Sequence, residues 1–361
     1  MADAAGFDAL STDELRRYGR QTVLPEVGPD GQRRLKSSRV LIVGLGGLGS
    51  PAALYLAAAG VGHLTLLEPD RVEISNLQRQ ILYDSGAQGQ PKAEVALARL
   101  RQLNPTIEIE SRAERLTGAN ARDWVSRSDV AIDATDNFRS RDLLNSACLL
   151  EGKPLVSASL LAFEGHLSVF NFDGGPCFRC LFPELPQSAP NCGDAGILGP
   201  VAGVLGTLQA TETLKIILGI GTVATGRLMR FDALKGEFSK LKYGRDTHCP
   251  SCGLAGSVNL EDVPHLTVQE LKARLERKHP VLLVDVREIH EREAARIEPS
   301  LHVPLSRLDA HEWPEGGDIV LYCQSGRRSE EAVRKLRRRG LSALHLLGGV
   351  TGYLGSAGVA D

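Results

Sequence analysis

Long uninterrupted apolar runs are missing from this 361-residue chain. The apolar stretches are short and broken by Gly, Glu or Lys, so no membrane span is expected. The start, MADAAGFDALSTDE, is acidic and has no apolar h-region, so no signal peptide is expected and the chain reads as cytoplasmic. An excess of one charge is also missing. Lys plus Arg number 42 against 44 Asp plus Glu, a formal charge of −2, which argues against a general nucleic-acid binder and leaves room for a local basic pocket. No G-x-x-x-x-G-K-[ST] pattern occurs, which excludes a P-loop enzyme, and no internal repeat is found. At roughly 150 residues per domain the length suggests two or three domains.

What is present is α/β grammar. The buried-strand run RVLIVG (Arg39–Gly44) is followed by a Gly-rich turn and an Ala-rich helix to about Ala59. A strand at His63–Leu67, a helix at Pro91–Leu103, a strand at Ser128–Ala134 and a helix at Leu143–Leu150 come next. Leu155–Phe172 reads as hairpins, Pro183–Gly203 as a long loop, and Val204–Leu218 as a helix. The first 35 residues are polar and read as holding one short helix, near Asp13–Tyr18. After a linker at Leu254–Pro264 the pattern restarts. A capping box opens a helix at Thr267, strands follow at Val281–Asp285 and Asp318–Cys323, and a helix at Ser329–Arg339 is closed by Gly340. The domains expected are therefore residues 1–253, a linker 254–264, and 265–361.

The turn Gly44-Leu45-Gly46-Gly47-Leu48-Gly49 lies between a strand and a helix, the setting of a dinucleotide fingerprint. Its glycines let backbone approach a phosphate, and the helix start offers free N–H groups. Alone, the motif also fits a tight structural turn. Glu68, roughly 20 residues on, is placed to hold ribose hydroxyls. Asn76, Gln78 and Arg79, then Lys92, add amides and two cations suited to offsetting the charge of departing pyrophosphate. Asp136 and Asn137 follow the strand ending at Ala134, at the carboxyl edge where open sheets hold ligands, and Asp136 is a candidate for Mg²⁺.

Of seven cysteines, Cys177 and Cys180 form one C-x-x-C pair and Cys249 and Cys252 another. In a chain without a signal this spacing points to tetrahedral Zn²⁺ rather than disulfides. Four thiolates fill the shell, so the zinc is expected to be structural. Gly253 permits the tight knuckle turn. Cys323-Gln324-Ser325-Gly326-Arg327-Arg328 follows a strand and opens a helix. Curled N–H groups, the helix start and two arginines suit a low-pKa, exposed thiol. Cys192 lies on the Pro/Gly-rich loop and Cys148 on an apolar helix face, where it reads as core. The run Arg334–Arg339 reads as a solvated helix face.

These stretches together resemble a known family. RYGRQ (Arg17–Gln21), VLIVGLGGLGS, ISNLQRQ, GQPKAE, DATDN and PCFRC make Arg17 to about Gly253 similar to the adenylyltransferases of sulfur-carrier proteins in molybdopterin (molybdenum cofactor) and thiamine synthesis, relatives of ubiquitin-activating enzymes. LVDVRE (Leu283–Glu288), CQSGRRS and LLGGV (Leu346–Val350) make the C-terminal part resemble rhodanese. The fold class implied is a Rossmann-like α/β adenylation domain with a mixed sheet and a four-cysteine zinc site, followed by a small α/β rhodanese domain. The resemblance implies a homodimer in which Arg20 reaches the ATP of the neighbouring subunit. Asn76, Arg79 and Lys92 would handle phosphates, Asp136 would bind Mg²⁺, Cys323 would carry a persulfide, and Cys192 would be an acceptor or resolving thiol. Glu68 stands where the family usually has Asp. The implied partners are a ubiquitin-like sulfur carrier ending in Gly-Gly and a sulfur donor, thiosulfate or a desulfurase persulfide, with no nucleic acid and no membrane. Two other readings stay open. One is an NAD-dependent oxidoreductase, which leaves Arg79, Lys92 and the sulfur domain unexplained. The other is a conjugation activator that forms a thioester at Cys192.

Overall fold

The computed structural model describes residues 9–185, 196–258, 260, 263–277, 280–314, 317–324 and 326–355. They divide into two compact units, one ending at Leu260 and one following it.

The first unit is built on an eight-stranded sheet: β1 (Arg39–Val43), β2 (His63–Leu67), β3 (Glu108–Arg112), β4 (Val130–Asp133), β5 (Leu155–Leu161), β6 (Glu164–Phe170), β7 (Arg227–Asp232) and β8 (Glu237–Lys242). The order is β3-β2-β1-β4-β5-β6-β7-β8, parallel from β3 through β5 and antiparallel beyond. β1 and β4 are buried from Val40 to Val43 and from Val130 to Asp133, which is why both read as continuous apolar runs. The strand order reverses between β1 and β4, so their carboxyl ends form the topological switch point of the sheet.

The helices packed here depend on small residues. Gly49–Ala59 buries eight of its eleven residues. It lies against Gly199–Leu218, where a Cβ on Gly206 would sit 2.2 Å from the Leu48 carbonyl oxygen. The second of these helices starts five residues before the sequence suggested, with Pro200 in its first turn; a Pro costs nothing there because the first N–H groups have no helical partner anyway. With a mean hydropathy of 1.2 it is, among the described residues, the helix long and apolar enough to cross a membrane, and half of that window is buried inside the fold. The N-terminal region departs from expectation as well: besides the short helix Thr12–Arg17, which opens with a Ser11–Glu14 capping box, a helix runs over Gly28–Ser37. It buries only Gly31, Gln32 and Leu35, too few to leave an apolar stripe in the sequence.

The second unit has a five-stranded, all-parallel sheet: β9 (His265–Leu266), β10 (Val281–Asp285), β11 (Leu301–His302), β12 (Asp318–Tyr322) and β13 (Ala343–Leu346), in the order β11-β10-β12-β13-β9. The capping box at Thr267 forms as read: Glu270 N–H donates to the Thr267 hydroxyl, and Thr267 N–H donates to the Glu270 carboxylate. Cys323 follows the central strand, β12, and the helix Arg327–Arg338 follows it in turn.

Candidate functional site

The Gly-rich turn sits on the switch point. Gly44 has φ +90°, and a Cβ there would lie 2.6 Å from the Ala134 carbonyl oxygen, so the turn after β1 touches the turn after β4. A Cβ on Gly49 would lie 2.0 Å from the Gly44 oxygen, so only glycine lets the helix start this close to the strand. Leu45, between them, is held from two sides: its N–H donates to Glu68 Oε2 (2.7 Å) and its carbonyl accepts from the Tyr83 hydroxyl (2.9 Å). Burial pushes the Glu68 carboxyl up and these N–H donors oppose the shift. The Asp70 N–H reaches its other oxygen at 3.0 Å. Glu68 thus supports the turn, and Tyr83, which sequence reasoning missed, completes the clamp.

The phosphate-suited cations lie close by. Lys92 opens the helix Lys92–Leu103, is buried, and has Nζ 3.6 Å from Asp70 Oδ2. Arg79 lines Gly47, with its Cγ 3.5 Å from where a Cβ would be, and donates to the Ser75 carbonyl at 3.0 Å. Gln80 faces Gly46, and its buried Oε1 has no hydrogen-bond partner. An unsatisfied buried acceptor beside a glycine turn, together with a buried ammonium, fits a site built to receive a polar ligand. Asn76 is turned to its own chain, accepting from Glu73 N–H at 3.3 Å. Gln78 is exposed and packs against Gly199. Arg20, on the short helix Gly19–Thr22, is exposed.

Beyond β4, Asp136 and Asn137 are exposed, and Asn137 caps the helix Phe138–Glu151 by accepting from Ser140 N–H at 2.8 Å. What fixes this turn is the fully buried Asp133. It accepts from Arg141 Nε, from the Ser157 hydroxyl (2.6 Å) and from the Thr135 hydroxyl (2.6 Å), and Arg141 also donates to the Thr135 carbonyl. A buried pair of this kind stabilises mainly by being complete, since removing one partner costs roughly 3–5 kcal/mol. No pattern in the chain signals it, because Arg141 is a polar residue near the start of an otherwise ordinary helix.

The four pair-forming cysteines come together. The sulfurs of Cys177, Cys180, Cys249 and Cys252 all lie within 4.8 Å of one another, with separations of 3.5 Å (Cys177–Cys249), 3.8 Å (Cys177–Cys180) and 3.3 Å (Cys180–Cys252). Tetrahedral zinc with bonds of about 2.3 Å needs sulfurs about 3.8 Å apart, so the donor set and spacing fit that ion. The N–H groups of Asp246 and Cys252 point at Cys180 and Cys249 sulfurs, both at 3.5 Å, as thiolates would favour. Gly253 turns under the second pair, where a Cβ would meet the Cys249 oxygen at 2.6 Å. Cys148 is fully buried and its thiol is pushed up by burial, in keeping with a core role.

In the second unit, Cys323 departs from expectation in one respect: it is buried, 1% exposed, rather than exposed. Its sulfur turns inward under the loop, accepting from Gly326 N–H (3.1 Å) and the Ser329 hydroxyl (3.7 Å), while Gly349 backbone covers its carbonyl. Two donors thus converge on one sulfur. The loop is braced by Arg287, which is paired with the buried Asp285 and donates to Gln324 Oε1 at 2.9 Å; Gln324 in turn donates to the Thr351 hydroxyl. Arg328 forks onto Glu291, with Nη1–Oε2 at 2.6 Å. The side chain of Arg327 and the whole of Ser325 and Cys192 lie outside the described residues. On the helix after the loop, Arg334 and Lys335 pair with Glu330 and Glu331 while Arg337 and Arg338 are exposed, as a solvated face requires.

Comparison with known proteins agrees with this geometry. Residues 18–251 match the ThiF family and residues 267–356 the rhodanese-like domain. The pig protein named adenylyltransferase and sulfurtransferase MOCS3 is 42% identical, over 91% of this chain and 82% of its own length. The Arabidopsis thaliana protein of the same name is 37% identical, over 95% and 84%. Among solved structures, E. coli MccB with MccA-N7isoASN is similar in fold, with a TM-score of 0.60 at 22% identity over 68% of this chain and 75% of that one. PaaA gives a TM-score of 0.57 at 24% identity, over 68% and 79%. On its sequence and its sheet the chain belongs to the ThiF family and carries a rhodanese-like domain after the family's own.

Proposed function

We propose that this chain adenylates the C-terminal Gly-Gly carboxylate of a ubiquitin-like sulfur-carrier protein with ATP and then converts it to a thiocarboxylate with sulfur held on Cys323. One observation carries the reading. Two strand ends built for anions occur on one chain, the Gly44–Gly49 turn flanked by Lys92 and Arg79, and the donor-ringed sulfur of Cys323. Relatives named adenylyltransferase and sulfurtransferase support it. In this reading residues 1–253 form the adenylyltransferase domain, 254–264 a linker and 265–361 the rhodanese domain.

The chemistry follows from leaving groups. A carboxylate resists thiolation because oxide cannot leave, whereas an acyl-adenylate expels AMP. The carrier carboxylate attacks the α-phosphorus and pyrophosphate departs. Gly46 and Gly47 N–H groups, Lys92, Arg79 and, in a homodimer, Arg20 from the neighbouring copy offset the charge. Glu68 accepts from ribose hydroxyls while holding the turn, and Asn76 and Gln78 line the phosphates. Asp136 would hold Mg²⁺, which neutralises phosphate charge when bound, and Asn137 lies beside it at the nucleotide. Cys177, Cys180, Cys249 and Cys252 would hold Zn²⁺ as a structural cross-link. The Cys323 thiolate takes sulfur from a donor, thiosulfate or a desulfurase persulfide. Its outer sulfur attacks the acyl carbon and AMP leaves, giving an acyl disulfide. Cys192 then attacks the Cys323 sulfur, a disulfide forms between the two cysteines, and the carrier departs as a thiocarboxylate; an external thiol reductant resets the pair.

Mass spectrometry of candidate carriers incubated with the enzyme, ATP and thiosulfate tests the reading. Replacement of one oxygen by sulfur at a carrier C-terminus is the expected result. An ATP-dependent, hydroxylamine-sensitive carrier adduct requiring Cys192 and not Cys323 would instead support conjugation.

A further inference from the structure

Two arginines that flank the Cys323 loop, Arg287 and Arg328, are each paired with a carboxylate. Arg287 is paired with Asp285, both of them buried, and Arg292 reaches the same carboxylate at 3.5 Å. Arg328, the arginine that closes the C-x4-R spacing, is matched by Glu291 through two parallel hydrogen bonds. Their side chains are 34% and 24% exposed, so the pair sits at the rim of the site and is partly wetted. Glu291 comes from the helix Ile289–Ala294, far from the loop in sequence, and is held there by the Glu288 N–H as well. Arg328 directly precedes Ser329, whose hydroxyl donates to the Cys323 sulfur at 3.7 Å, so Glu291 and Cys323 share the turn that carries this cation.

That sharing matters for the incoming donor. With thiosulfate, the Cys323 thiolate attacks the outer sulfur, the S–S bond breaks and sulfite leaves with the electron pair, so a dianion arrives and a dianion departs. With a persulfide donor, the thiolate attacks the terminal sulfur and a thiolate leaves; only one negative charge is carried in at the reacting end. A free Arg328 favours the first donor more than the second.

We propose that Glu291 is a positioning residue which, by occupying Arg328, sets the donor preference of Cys323 toward persulfides and against thiosulfate. This rests on the reading of Cys323 as the sulfur-accepting thiol.

The test uses the full chain and two probes, thiosulfate read by sulfite release and cysteine persulfide read by cysteine release. In Glu291→Gln, kcat/KM for thiosulfate is expected to rise about fivefold while that for cysteine persulfide changes less than about twofold, the size appropriate to one partly screened charge. In an Arg328→Ala background the same substitution is expected to leave the ratio of the two unchanged, because the cycle removes the cation through which Glu291 acts. Equal changes with both donors would mark a merely structural role and overturn the proposal, as would a ratio shift that persists without Arg328. Failure of the underlying reading is distinguishable: there, Cys323→Ser would still release sulfite or cysteine, whatever residue 291 is.

Discussion

The molecule keeps its chemistry-bearing sulfur in two settings, and they differ in what faces the atom. In the first unit four thiols face one another, all within 4.8 Å, with backbone N–H groups such as those of Asp246 and Cys252 behind them. In the second, Cys323 stands alone among donors, facing the Gly326 N–H and the Ser329 hydroxyl. The same element is arranged as a ligand set in one place and as a nucleophile in the other, and the difference lies in the neighbours. Sulfurs gathered together need a cation to hold them, whereas a lone sulfur among donors stays available for attack.

The comparison breaks most visibly at the lone sulfur. Cys323→Ser is expected to lower thiocarboxylate formation on the order of 10³-fold, as loss of a nucleophile does, while carrier-dependent exchange of pyrophosphate into ATP stays within about twofold. Parallel assays of the two half-reactions check this, and equal loss of both would refute the division of labour. At the cluster, Cys252→Ser is expected to abolish zinc binding and lower the Tm of the first unit by on the order of 10 °C, with sulfur loading of Cys323 from thiosulfate retained. Elemental analysis and calorimetry read that outcome, and zinc-free wild-type protein of full stability would remove the cluster's role. The smallest effect concerns acid. Arg328 holds the Glu291 carboxyl down to about 2 from its usual 4.5. A depressed folded value means the stabilisation is present above the usual value and is lost as pH falls through the folded one. Donor choice follows ionisation of the folded carboxyl, so the ratio is expected to stay flat from neutral pH to about pH 3 and to shift toward thiosulfate only as pH approaches about 2.

Much of this is legible in the chain itself because it depends on near neighbours. A glycine turn between strand and helix, two C-x-x-C pairs and a capping box are each complete within a few residues, and all form. What escapes is tertiary. Asp133 and Arg141 look like ordinary polar residues until Ser157 and Thr135 close round them. Glu291 and Arg328 are joined only by the fold. β3 (EIESR) and β8 (EFSKLK) are edge strands with charged outer faces, which blunts the alternation that reveals a strand. The inward turn of Cys323 needs Gly326 and Gly349 placed in space, and spacing alone suggests an exposed thiol.

The long apolar helix Gly199–Leu218 has one more consequence. Its Gln209 amide donates to the backbone oxygens of Asp133 (2.6 Å) and Val156 (3.3 Å), and its Glu212 accepts from Ala224 N–H. A greasy cylinder resting on a flat sheet has little to stop it from slipping, but these polar teeth mesh with single backbone groups. A slide of one turn, about 5.4 Å, would strand every one of them. The helix therefore works as a latch with one closed position, and the strand end it locks is the one that presents Asp136.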